Sequence, residues 1–170
     1  MTRAQLIVSI AKQYTGQKEK PGNSGFVDVV FQKLLVAAGW LVGQSWCAYF
    51  VKMVWKQAYA NNADLLSVVN RMCNGGALMT LNNMKNNGRF VVNMTPVIGA
   101  IVIWKHGKGP QGHAGIVIGI DGNTLRTIEG NTNASGSREG DCVAQKLRTV
   151  SRDFKAIGLN LVGFIHPIEA

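Results

Sequence analysis

The chain has 170 residues, 46% of them apolar, which is enough to bury one sizeable core and too few to divide comfortably into two domains. Its formal charge of +9 favours an anionic partner, yet lysine and arginine are scattered from Arg3 to Lys155 without a block, which argues against a nucleic-acid-binding arm. No apolar run approaches the roughly 20 residues needed to cross a bilayer, since Leu34 to Val42 is broken by Gly39, so no membrane insertion is expected.

In chain order, Leu6, Ile7, Ile10, Ala11 and Tyr14 recur at helical spacing behind Thr2. The same stretch is too short and too polar for a signal peptide, so the expectation is a protein made in the cytoplasm that needs another exit route to act outside it. Gly16 to Gly25, with Pro21 and Asn23, is a turn-rich loop of the kind that can rim a site. Val27, Val30, Phe31, Leu34, Leu35 and Ala38 predict a second helix before Gly39. A third helix is expected with Ser45 as its cap, running through Cys47, Phe50, Val51, Val54, Trp55 and Ala58. A fourth covers about Ala63 to Asn74, and Asn82 to Gly88 reads as a polar connection. The texture then turns to short β-rich runs at Arg89 to Val92, Ile98 to Trp104, Ala114 to Ile120, Thr124 to Glu129 and Leu161 to Ile165. Helices first and strands second predict an α+β fold with a mainly antiparallel sheet, and one domain over residues 1–170.

Three cysteines, Cys47, Cys73 and Cys142, form neither a disulfide framework nor a paired zinc pattern, which leaves room for a single working thiol. Cys47 falls at the start of a helix, where free N–H groups and the macrodipole favour a negative charge and hence a thiolate nucleophile. Of the three histidines, His113 opens a strand and can serve as a rigidly held general base. His106 lies in a Gly-rich loop and His166 at a strand end, where ordinary surface histidines are found.

Ala114 to Ile120 and Thr124 to Glu129 read as a hairpin around Asp121, Gly122 and Asn123. With all three turn residues in the loop, Ile120 faces Thr124, and His113 falls opposite Asn131 and diagonal to Glu129 on the same face. With only Asp121 and Gly122 in the loop, the register slips by one and Glu129 turns away from His113. Pairing His113 with Glu129 therefore predicts the longer, bulged turn. Glu129 or Asn131 can then accept a hydrogen bond from the imidazole and fix its tautomer. Gly107-Lys108-Gly109-Pro110-Gln111-Gly112 has the spacing of a dinucleotide-binding loop, but a strand follows it and no helix N-terminus receives a pyrophosphate, so it reads as a hairpin loop beside the site.

Together, Ser45-Trp46-Cys47-Ala48-Tyr49-Phe50-Val51, Gly112-His113-Ala114-Gly115-Ile116-Val117 and Ile128-Glu129-Gly130-Asn131 resemble the CHAP family of peptidoglycan amidases and endopeptidases. The resemblance implies a papain-like, NlpC-related fold and hydrolysis through a covalent acyl-enzyme. On it Cys47 would be the nucleophile, His113 the base and later the acid, Glu129 the group that orients the imidazole, and Asn131 an auxiliary polar group. The backbone N–H of Cys47, with the side-chain amide of Gln44, would form the oxyanion hole. Gln44, Trp46, Glu19 and Asn23 are expected to line the substrate groove. Where the family usually has an acid after Pro-x-x-Gly, this chain has Pro96-Val97-Ile98-Gly99-Ala100, which alters a turn contact. No spaced run of acidic ligands accompanies Glu19 and Asp28, so neither a metal nor a cofactor is expected.

The leading expectation is a cysteine hydrolase of peptidoglycan amide bonds, as a phage or prophage lysin or as an antibacterial effector acting on the wall after release or injection. An effector would have an immunity protein as a second partner. The alternatives are a non-catalytic wall-binding module on the same fold, which should have lost one of the paired residues, and a protease or transferase acting on proteins.

Overall fold

The computed structural model of the protein describes residues 1–132 and 140–169. The described residues form five α-helices followed by one six-stranded antiparallel sheet, the α+β order that the sequence pattern predicts. No helix among them is long and apolar enough to cross a membrane.

Helix α1 (Arg3–Gln13) starts at a capping box, in which the Thr2 hydroxyl accepts from the Gln5 N–H and the Gln5 side chain accepts from the Thr2 N–H. Ile7, Ile10 and Ala11 are its buried stripe. Helix α2 (Val29–Ala37) begins later than its apolar residues suggest, because Val27, Val29 and Val30 are exposed and the true start signal is Asp28, whose carboxylate accepts from the Val30 and Phe31 N–H groups.

Helix α3 (Cys47–Ala58) corrects the expected cap. Ser45 does not cap it; Trp46 holds the N-cap position without a side-chain bond, and the Ser45 hydroxyl accepts instead from Asn131 Nδ2 at 2.8 Å. The start of α3 is set by packing. The Trp46 ring is fully buried, edge-on to Phe26 at 4.9 Å and to Phe31 at 6.0 Å between centroids. Such aromatic pairs contribute about 0.5–1.5 kcal/mol each beyond their buried area. They fix the backbone immediately before Cys47.

Helix α4 (Ala63–Met72) is capped by Asn62. A fifth helix, α5 (Ala77–Asn87), replaces the expected polar connection: Ala77, Leu81 and Met84 face the core at helical spacing, and Gly88 ends it in the left-handed region at φ 71°. The run Arg89 to Val92 contributes only the two-residue strand β1 (Val92–Asn93).

The other strands are β2 (Ile101–His106), β3 (Gly112–Asp121), β4 (Thr124–Thr132), β5 (Cys142–Thr149) and β6 (Leu159–Ile165), in the order β1-β6-β2-β3-β4-β5. Strand β5 escapes the sequence pattern because it is an edge strand whose Leu147 is 72% exposed. Helices pack on one face of the sheet against Ile101, Ile103, Ala114, Ile116, Ile128 and Ile165. A smaller cluster, with Val102, Trp104, Val117, Leu125 and Phe164, lies on the other.

The β3–β4 hairpin reaches the expected register by a different route. Asp121 pairs with Thr124, so the loop is the two-residue turn Gly122-Asn123, with Gly122 at φ 54°. Followed inward, that register would put Glu129 on the wrong face. A bulge at Ile118 restores the parity: Gly119 pairs with Arg126, but Val117 pairs with Thr127 and Ile116 with Ile128. Glu129 then shares the His113 face, where its carboxylate lies 2.8 Å from the imidazole.

Gly130, between Glu129 and Asn131, has no room for a side chain. A Cβ there would lie 2.6 Å from Trp46 Cζ3 and 2.8 Å from Phe50 Cβ. Gly130→Ala is expected to cost about 1–3 kcal/mol by overpacking, read as a lower thermal midpoint.

Candidate active site

Cys47 is the first residue of α3, where the opening N–H groups have no intrahelical acceptor. Its side chain is 6% exposed and meets His113 from β3. Burial works against ionisation, but His113 and the N–H groups of Ala114 and Ala48 outweigh it, and the thiol is held below its ordinary value. His113, 7% exposed, moves the opposite way. Burial favours its neutral form, yet the Cys47 sulfur and the Glu129 carboxylate raise it to about 9. Both shifts run in the direction that favours a thiolate–imidazolium pair.

Glu129 is fully buried and lies 2.8 Å from His113 Nε2 through Oε2. Its second oxygen accepts from the Thr127 hydroxyl at 2.6 Å and from Arg148 Nε at 2.8 Å, and a further Arg148 N–H reaches Oε2. Burial alone would raise its pKa; Arg148 and His113 reverse that and hold it at about 2. Gly115 makes room for this carboxylate, since a Cβ there would come within 2.8 Å of Glu129 Cγ. Trp104 stacks on the His113 ring at 5.8 Å between centroids, and the Arg148 guanidinium lies over Trp104 at 5.5 Å. The imidazole is thus fixed through one nitrogen and one face.

Two cavities meet at His113. One, of about 590 Å³, contains Cys47 and is walled by Ser45, by Gly75 to Met79 leading into α5, and by Pro110 and Gln111 of the β2–β3 loop with Gly112 at the start of β3. The other, of about 490 Å³, lies beside β5 and the chain leading to β6. His106, His113 and Asn131 line both, so the two form the arms of one groove.

The structure brings Cys47, His113 and Glu129 together and sets Asn131 beside them. Asn131 donates to Ser45 and sits at φ 52°, so its amide braces the two sides of the groove, while Glu129 is the acceptor that the imidazole uses. The expected groove residues are placed elsewhere. Trp46 is fully buried and its indole N–H donates to Glu19 Oε2 at 3.0 Å; Glu19 is itself 7% exposed, and burial raises its pKa. This pair builds the entry to α3 and presents no surface to a ligand. Asn23 lies in the exposed turn Pro21–Asn23, away from both cavity walls. Gln44 lies outside both walls too; its Oε1 accepts from the Leu41 N–H and its carbonyl from the Trp40 indole.

Sequence reasoning missed Thr127, Trp104 and Arg148, and it assigned His106 to solvent although it lines both arms. His166 is engaged with the Thr95 carbonyl. All three cysteines are free of disulfides, but burial pushes Cys73 up to about 12 and also raises Cys142, which leaves Cys47 as the one held below its ordinary value.

A pH profile follows from these directions. For a reaction carried by this pair, kcat/KM should rise with pH through an apparent value below that of an ordinary thiol and fall again near 9. Glu129 stays ionised throughout. A steady rise through pH 10 would contradict the ion pair.

A model of the CHAP domain matches residues 39–131, more than half of the chain and the part that carries Cys47, His113, Glu129 and Asn131. The crystal structure of Ly7917 is similar in fold, with a TM-score of 0.56 at 16% identity, over 96% of this chain and 62% of that one. The chain thus spans less than two thirds of the length of that protein. No curated protein matches it.

Proposed function

Since the chain belongs to the CHAP domain family, we propose that it is a cysteine hydrolase of amide bonds in bacterial peptidoglycan, with residues 1–170 acting as one catalytic domain. The observation that carries this reading is the buried array of Cys47, His113 and Glu129, in contact with one another and opening onto a groove.

In the proposed reaction the Cys47 thiolate attacks the carbonyl carbon of the scissile amide, and the oxyanion forms against the Cys47 N–H at the start of α3. His113 gives its proton to the departing amine, which leaves an acyl-enzyme thioester. His113, neutral at that stage and oriented by Glu129, takes a proton from the attacking water and keeps it as the Cys47 thiolate is expelled from the thioester, which frees the acid product and restores the starting pair. The scissile bond is the muramoyl–alanine amide or a peptide bond of the stem or cross-bridge. The +9 charge concentrates the protein on anionic envelope polymers. In this reading it works on the wall as a released lysin or an injected effector, and an immunity protein for an effector would have to cover the groove at Cys47. A wall-binding module would have no need of a complete array.

The test is digestion of purified sacculi with the protein before and after iodoacetamide treatment, with soluble products identified by mass spectrometry. New amine-terminated fragments from the untreated protein alone are expected, and they identify the bond. Intact sacculi in both reactions would sink the reading.

A further inference from the structure

The two arms of the groove differ in charge. Among the described residues, the arm that contains Cys47 has no Lys, Arg, Asp or Glu in its wall. The arm beside β5 is lined by Arg148, Arg152 and Lys155 and by no described carboxylate. Arg148 is already committed to Glu129. Arg152 and Lys155 have no described carboxylate within ion-pair reach, and Asp153, between them in the chain, does not line the arm.

These two cations are also carried on a braced backbone. The side chain of Asn123 bonds both the N–H and the carbonyl of Ser151 at 2.7 Å, which ties the segment before Arg152 to the β3–β4 turn. The side chain of Asn160 does the same for Lys155, accepting from its N–H and donating to its carbonyl, both at 2.8 Å. A segment pinned at both ends presents its charges with little ordering left to do when a ligand arrives. Ile157 and Leu159 add apolar walls.

We propose that the arm beside β5 is a carboxylate subsite, which seats a free carboxylate of the substrate next to the scissile amide, while the uncharged arm takes the neutral side. The inference deepens the amide-hydrolase reading and rests on it for which bond is cut. The binding preference itself needs no catalysis, so the two can fail separately.

The probes are muramoyl-L-alanyl-D-glutamate with free carboxylates and the same compound with both carboxylates converted to carboxamides. Binding of each to the Cys47→Ala protein is measured by titration calorimetry. The free acid is expected to bind about tenfold more tightly, with the ratio shrinking as salt is raised, because these charges are near the surface. Arg152→Gln with Lys155→Gln should bring the ratio to about one, and Arg152→Glu with Lys155→Glu should invert it. Equal binding of the two compounds, or a preference that survives the glutamine pair, overturns the proposal. Incubating the parent protein with the same compounds reports on cleavage independently: cleavage supports the hydrolase reading, and intact compounds exclude the muramoyl–alanine and alanyl–glutamate amides as the scissile bond, while the carboxylate preference stands or falls on the titration.

Discussion

Cys47→Ala is expected to abolish amide cleavage, with kcat reduced by about 10⁴-fold or more, while the thermal midpoint stays within a few degrees of the parent. The side chain is small and nearly buried, and alanine fits its space at the first position of α3. What is lost is the only thiol in the chain held below its ordinary value. Serine in its place restores the shape and leaves the rate close to that of alanine, since a hydroxyl is far less acidic than a thiol and the surroundings that ionise a thiol do not ionise it. Two further readouts separate chemistry from folding. Iodoacetamide should label Cys47 in the parent protein, with Cys73 and Cys142 lagging far behind. His113, no longer facing a sulfur anion, should titrate lower in the alanine variant by NMR. Retained cleavage by Cys47→Ala would remove this cysteine from the reaction.

Glu129→Gln is expected to lower kcat/KM by about 10²- to 10⁴-fold, the range seen when a general base loses its oriented, charged partner. The amide has nearly the carboxylate's shape, but it brings no charge to stabilise the imidazolium, and its NH₂ must face one of three donors: His113, Thr127 or Arg148. The sign of the accompanying pH shift is determined. His113 is raised partly by Glu129, so removing the charge lowers it, and the alkaline limb of the profile moves to lower pH. A variant that is slower with an unmoved alkaline limb would mean that Glu129 acts on the fold and not on His113. The same substitution also removes a carboxylate whose pKa is depressed to about 2 in the folded protein. The stability that this carboxylate contributes is present above its unfolded value and is lost as pH falls towards 2, so the parent should lose stability on acidification over that window more steeply than the variant.

The chemistry of the array was legible in the sequence where it depends on local counting. A helix start places Cys47, a strand start places His113, and the parity of one hairpin places Glu129. The parity argument reached the right face for a reason the residues do not advertise: the extra residue sits at Ile118, inside strand β3, and the turn itself has only two residues. What lay out of reach depends on distant strands and on burial. Arg148 comes from β5, an edge strand with one exposed leucine and no clean alternation, and only the folded sheet shows that it crosses to Glu129. Thr127 could have been found, since it lies two residues before Glu129 and on the same face of β4. Helix α5 was hidden by its asparagines, although Ala77, Leu81 and Met84 keep helical spacing. Trp46 was drawn towards the groove by its place beside Cys47 and Glu19 by the family resemblance, whereas an aromatic ring packed against Phe26 and Phe31 belongs to the core.

The bidentate contact between Arg148 and Glu129 has a consequence for the whole proposed cycle. At rest the formal charges of Cys47, His113, Glu129 and Arg148 sum to zero. When the thiolate attacks, its charge passes to the oxyanion and the sum is unchanged. In the acyl-enzyme the sulfur and the imidazole are both neutral, and Glu129 would be a lone buried anion were Arg148 not beside it. With the guanidinium in place, every stage is electrically neutral, so no step has to move net charge into or out of a region shielded from water.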